Sequence, residues 1–191
     1  MPDQPAPPGD DNGSTRYLAA PTLTVWIYDS AMGAVAGEVR LKDLRQRDAL
    51  RVHDAITVSW LPGAHVPRIG HLRRETSAAA ARNSLLGGLV DLLLRPPVAG
   101  APPDAVVTAL AQRLRGTGID QIFLDDVKRQ LHPESSALLV LSSDVDLDQV
   151  RPVIERGLAH GDVILMHARL PDNAPELLRE AVQDQLARTQ G

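Results

Sequence analysis

The chain of 191 residues contains no cysteine. That removes disulfide frameworks, thiol nucleophiles, cysteine-type zinc sites and iron–sulfur clusters together, and it suits a reducing compartment. Aromatic residues are scarce: Tyr17, Trp26, Tyr28, Trp60 and Phe123 are the whole set. They are too few, and too tied to strand-like segments, to build the stacking platforms that hold single-stranded nucleic acids. Positive charge is not in excess either, since the net charge is −4. A polyanion meets no general attractive field, so nucleic acid is not an expected partner. Long apolar runs are missing as well. The longest stretch free of Asp, Glu, Lys and Arg, Ala55 to Pro67, has thirteen residues and two prolines, against the ~18 or more that a spanning helix needs. No transmembrane segment is expected.

What remains is the composition of an ordinary globular protein, 43% hydrophobic and 23% charged, on a chain long enough for one domain. The opening, MPDQPAPPGDDNGST, is acidic and rich in proline and glycine. It has neither the basic nor the apolar region of a secretory leader, and it predicts a disordered tail over 1–20 ahead of a single domain over 21–190.

Within that domain the periodicities alternate. In TLTVWIYDS, Leu23, Val25 and Ile27 alternate with Thr24, Trp26 and Tyr28, which predicts a strand with aromatics on its second face. Asp29 or Ser30 is placed to cap a following helix, with Met32, Val35, Ala36 and Val39 at helical spacing and Leu44 extending the stripe. VHDAITVSWL (52–61) then reads as a strand, Pro62-Gly63 as a turn, and Val66 to Leu72 as a short third strand. The last third repeats part of the pattern. Ser136 to Ser143 reads as a buried strand, Val150, Val153, Ile154 and Leu158 as a helix stripe, and Asp162 to Arg169 as another strand. A helix over Ile119 to Leu131 stops at Pro133, and Pro175 opens a C-terminal helix. Between the two β-α-β units, residues 77–115 carry an alanine run, Leu85-Leu86-Gly87-Gly88-Leu89-Val90, a triple leucine and two proline pairs. They predict an amphipathic helical hairpin.

The segment GTGIDQIFLDDVKRQLHPESSALLVL (116–141), with a helix and then DVILMHARL after it, resembles a bacterial family, the one numbered 1269 among domains of unknown function. The likeness rests on Gly118-Ile119-Asp120, Pro133, Ser135-Ser136-Ala137, the strand ending Tyr28-Asp29 and Arg51-Val52-His53-Asp54-Ala55, and it spans roughly 22–189. Members of that family are commonly described as predicted membrane proteins, and typically carry a long glycine-zipper stretch in the middle. Here only Gly87, Gly88 and Gly100 stand there, with Asp91, Arg95 and four prolines added. The resemblance implies no catalytic residue, substrate or cofactor.

Several constellations invite chemistry and each has a plainer reading. Asp144, Asp146, Asp148 and Glu155 match positions of a calcium loop, but Gln149 stands where glycine must turn the chain, and a capped helix start fits better. The histidines His53, His65, His71, His132, His160 and His167 show no ligand spacing, and read as isolated surface or turn residues. His65 to Arg82 forms a basic patch with Arg68, Arg73 and Arg74. It is either a charged strand edge that deters unwanted pairing or a contact for an anionic surface. Gly33-x-x-x-Gly37 predicts close packing of the first helix on the sheet, with self-association as the lesser alternative. Ser30, Ser142 and Ser143 have no nucleophile elbow and no partner that spacing can place.

The expected fold class is therefore α+β: a ferredoxin-like sandwich of two β-α-β units with helices on one face and the hairpin 77–115 inserted, the alternative being a doubly wound α/β sheet. The expected function is non-enzymatic and needs no cofactor or metal. The protein would be cytoplasmic, either soluble or peripheral at the inner membrane without spanning it, and would act as a homo-oligomer or through a protein partner. Leu85, Leu86, Leu89, Leu92, Leu93, Val106 and Leu110, with Arg68, Arg73 and Arg74, are the candidate contact surface. A small-ligand-binding sensory domain is the alternative, and a hydrolytic enzyme would require a deep pocket of convergent polar groups.

Overall fold

In the computed structural model, which describes residues 17–72, 84–96, 99–100, 102–159, 161 and 163–189, the elements follow the predicted alternation. They are β1 (Tyr17–Leu18), β2 (Thr22–Tyr28), α1 (Gly33–Gln46), β3 (Arg51–Ser59), β4 (Arg68–His71), α2 (Leu85–Leu93) and α3 (Ala105–Arg113). After these come α4 (Gln121–Gln130), β5 (Ser136–Ser143), β6 (Val145–Asp146), α5 (Leu147–Ala159), β7 (Val163–Arg169) and α6 (Ala174–Thr189). Among the described residues, no helix is long and apolar enough to cross a membrane.

Five strands form one sheet in the order β4-β3-β5-β2-β7, and every neighbouring pair is antiparallel. The doubly wound parallel alternative is thereby corrected. The two β-α-β units interlock instead. Strands β2 and β3 both pair with β5, which lies between them, while β5 and β7 both pair with β2. Each crossover helix therefore spans one intervening antiparallel strand.

The sheet is covered on both faces, where helices on one face were expected. The reason lies in β5, every residue of which is buried. Ala137, Leu139 and Leu141 join Leu23, Val25, Ile27, Ile56 and Val58 in a core with α2, α3, α4 and α6. Leu138 and Val140 join Trp26, Tyr28 and Ala55 in a second core with α1 and α5. Side chains of a strand point alternately to its two sides, so an apolar strand in mid-sheet needs two covers.

The leucine-rich stretch is one of those covers. Helix α2 packs against α3, α6 and β3, and Leu86, Leu89, Leu92, Leu93 and Leu110 are each at most 6% exposed. Leu85 and Val106 are half-buried. The exposed contact surface expected of these residues is corrected accordingly: their apolar faces are spent on the chain's own sheet. Residues 77–83, 97–98 and 101 of the expected hairpin lie outside the described residues.

Two local expectations also change. Tyr17 and Leu18 pair with Asp146 and Val145, so the predicted tail over 1–20 gives way to a strand by residue 17; 1–16 lie outside the described residues. Helix α1 is not capped by Asp29 or Ser30 side chains. Ser136, on the neighbouring strand β5, accepts from the Ala34 N–H at 2.9 Å and donates to the Ser30 carbonyl at 2.6 Å. A residue far along the chain thus satisfies a donor that a helix start leaves open.

Leu86→Ala should destabilise the protein by about 2–5 kcal/mol in urea denaturation. Because its cover is intramolecular, the midpoint should not move with protein concentration; a concentration-dependent midpoint would mean that a second molecule supplies the cover.

Candidate functional site

Between the sheet and the helices α1 and α5 lies a cavity of about 320 Å³. Its sheet wall is Trp26, Leu138, Val140 and Leu165. Leu41 and Leu44 of α1 and Val150, Val153 and Ile154 of α5 form the opposite wall, and Leu18 and Val145, from the short β1–β6 ribbon, line it as well. Protein interiors hold few voids larger than a water molecule, and small-molecule sites are mostly apolar concavities with a few placed polar groups. The polar groups here are Thr22, Thr24, Ser142, Arg40, His167 and Arg169.

A second, more polar crevice of about 250 Å³ opens on the other side, lined among others by Arg45, Asp54, His71, Ser84 and Arg179. Its geometry begins with a bulge: the register of β3 on β5 slips between Val52 and Asp54. That slip turns Asp54 toward α2. One carboxylate oxygen of Asp54 accepts from the Leu86 N–H at 2.9 Å, and the other lies 3.0 Å from His71 Nε2. Asp54 is 8% exposed. A buried carboxylate is tolerated when its oxygens are bonded in this way, and here it ties β3, β4 and the start of α2 together. Ser84 lines the same crevice but accepts from the Gly87 N–H at 3.0 Å as the cap of α2.

The residues singled out from sequence are distributed as follows. His71 is not the isolated surface histidine expected; burial beside Asp54, seventeen residues earlier in the chain, gives it a structural partner. Ser143 does acquire a histidine, His53, at 2.9 Å. Its hydroxyl, however, donates to Asp144 at 3.0 Å, so the imidazole is not positioned between serine and carboxylate as a nucleophile's base must be. His132 contacts the Pro133 carbonyl at 2.9 Å. His65 is exposed, and His160, Arg73 and Arg74 lie outside the described residues. Arg68 stands exposed on β4, an edge strand, where the edge reading of the basic patch puts it. Asp146 accepts from the N–H groups of Asp148 at 3.0 Å and Gln149 at 3.3 Å, the capping arrangement rather than a cation loop. Among the described residues no cluster of His, Asp and Glu could hold a metal ion.

Gly33 and Gly37 are explained by Tyr28. A Cβ at Gly33 would sit 2.4 Å from the Tyr28 Cβ, and one at Gly37 would sit 2.3 Å from its hydroxyl. The small residues let α1 lie directly on the aromatic ring. The buried Tyr28 hydroxyl has no partner of good hydrogen-bond geometry among the described residues, and only the Arg40 guanidinium makes a loose contact with it. Burial raises its pKa above the ordinary 10.0, and the Arg40 guanidinium pulls it partway back.

The cavity was not legible in the sequence. Its polar members, Thr22, Thr24, His167 and Arg169, occupy alternate positions on two strands, and only the pairing of β2 with β7 brings them side by side. The alternation itself was the available signal.

Residues 80–183, more than half of the chain, match the family described as "Protein of unknown function (DUF1269)". No curated protein matches the chain, and no solved structure does.

The raised Tyr28 pKa has a definite consequence. Below the unfolded value the phenol is protonated in both states, and its contribution is intact. As pH rises past 10.0 the unfolded chain ionises first, so stability should fall until the folded pKa is reached. Urea midpoints compared at about pH 9 and about pH 11 should show this loss, and Tyr28→Phe should lessen it. At neutral pH that variant should cost no more than about 1 kcal/mol, since the buried hydroxyl it removes has only a loose contact with Arg40.

Proposed function

The chain belongs to this family of unknown function, and from that premise we propose that it is a non-enzymatic protein binding a small molecule in the cavity between the sheet and helices α1 and α5. The single observation carrying this reading is a space of about 320 Å³ with mostly apolar walls and a few polar side chains, most of them on the sheet. A pocket of that kind is where ligands are usually held. The crevice at Asp54 supports catalysis less well, because its carboxylate is committed to His71 and to the Leu86 N–H. A binding role without chemistry also agrees with the separation of His53, Ser143 and Asp144 from any relay order.

The finer description of the fold as a ferredoxin-like sandwich with an inserted helical hairpin is part of the proposal. Its support is the strand order β7-β2-β5-β3 with α1 and α5 as crossovers, and the succession of α2 and α3 against the other face. A cytoplasmic, non-spanning protein remains the proposed setting.

Self-assembly is the second reading, and a specific observation favours it. Met32 at the start of α1, Val35 and Val39 within it and Val66 of the β3–β4 connection are 44–67% exposed, and Met32, Val35 and Val66 line one shallow groove with Leu61 and Ile69. Light scattering over a concentration series tests it: a mass that stays monomeric removes this reading.

The ligand reading is tested by uptake of an apolar fluorescent probe. The full chain should bind it saturably, and a ligand present at about a hundredfold over its Kd should stabilise the fold by about 2.7 kcal/mol. Val153→Phe, which fills the cavity, should abolish uptake at an overpacking cost of about 1–3 kcal/mol. Undiminished uptake by that variant, or none by the parent, would sink the proposal.

A further inference from the structure

We infer that the cavity's occupant is an amphipathic carboxylate, a medium-chain fatty acid or a molecule of that build, with its head at Arg169 and its tail between the sheet and α5. The inference rests on the ligand-binding reading and narrows it to one chemical class.

The argument is the register of three strands. Arg169 of β7 lies opposite Thr22 of β2, which lies opposite Ser142 of β5. All three line the cavity, so one cross-strand row offers a guanidinium and two hydroxyls. The next row facing the same way, two residues along, is His167, Thr24 and Val140; the row after that is Leu165, Trp26 and Leu138. On the sheet wall polarity therefore falls along the strands, from a cationic, hydroxyl-bearing row to an apolar one, over two steps of roughly 7 Å each, while Arg40 of α1 stands across from the apolar row. Helix α5 supplies an apolar wall across from these rows with Val150, Val153 and Ile154.

The sign of the head follows from the lining. Among the described residues it contains Arg40, Arg169 and His167 and no aspartate or glutamate. Neither arginine is in an ion pair among the described residues. A cationic head would be repelled. A purely aliphatic ligand would cover the hydroxyl row without bonding it, at a desolvation cost. A carboxylate accepts two parallel bonds from the planar guanidinium fork, and the Ser142 hydroxyl can bond it further, while that of Thr22 donates to the Ala20 carbonyl at 3.5 Å. Arg169 rather than Arg40 takes the head, because Arg169 is exposed at the polar row whereas Arg40 lies toward the Tyr28 hydroxyl and Gly157. The charged head thus stays near water while the tail is buried.

The test compares three probes of equal chain length on the full chain, decanoate, decanol and decylammonium, by calorimetric titration and by competition with the apolar fluorescent probe. Decanoate should bind roughly tenfold more tightly than decanol, and decylammonium more weakly than either. Arg169→Met should bring decanoate down to the decanol level and leave decanol unchanged. Arg169→Lys should restore part of the preference, and Arg40→Met should preserve it. Equal affinity of decanoate and decanol for the parent overturns the carboxylate assignment while leaving the cavity reading intact. Loss of the preference in Arg40→Met instead of Arg169→Met overturns the placement of the head. Binding of none of the three probes overturns this inference whatever the fluorescent probe does.

Discussion

Because β5 carries Ala137, Leu139 and Leu141 to one side and Leu138 and Val140 to the other, no single layer of helices can complete its burial. Covering one leucine or valine is worth about 1.5–3 kcal/mol. The four leucine and valine positions together rival the ~5–15 kcal/mol net stability of a whole domain. Leaving either face of β5 open would therefore cost about 3–6 kcal/mol, a large part of what the fold has to spare. The layers follow from this: α1 and α5 on the side of the crossovers, and α2, α3, α4 and α6 on the other. The leucines of 85–94, which in isolation look like a surface in want of a partner, are what the second face requires.

A strand buried on both sides also limits where polar groups can go, and the structure places them at its ends and at its neighbours' irregularities. Ser136, at the first position of β5, completes the start of α1. Asp54, turned by the bulge on β3, completes the start of α2 and engages His71 on β4. Both are cases of a strand side chain satisfying a helix's open N–H groups. They fix each helix against the sheet in a way that hydrophobic contact, being undirected, does not.

On the crossover side the same sheet leaves a space, and the composition of its rim gives that space a direction. Toward Tyr28 the packing is tight enough to exclude a methyl group at Gly33 and Gly37. Toward Thr22 and Arg169 it is not, and threonine, serine, histidine and arginine replace the aliphatic side chains. The function proposed for the protein is a consequence of that gradient: dense apolar packing at one end, unfilled room in the middle, and hydrogen-bonding groups of positive character at the other.

Periodicity in the sequence was enough for the kind and approximate span of most elements. The alternation in 22–28, the apolar run 136–143 and the helical stripes of 121–130 and 147–159 express local geometry that depends on a few neighbouring residues. The absence of cysteine and of any long apolar run likewise excluded whole chemistries without reference to shape. Tertiary structure alone decided which side of the sheet the leucine helices cover, that Ser136 rather than Asp29 or Ser30 serves α1, that His71 meets Asp54, and that Arg169 shares a row with Thr22 and Ser142. Each of these joins residues distant in the chain through strand register. A shift of one residue in that register would turn every side chain involved to the opposite face, and local pattern holds no record of which register the packed core selects.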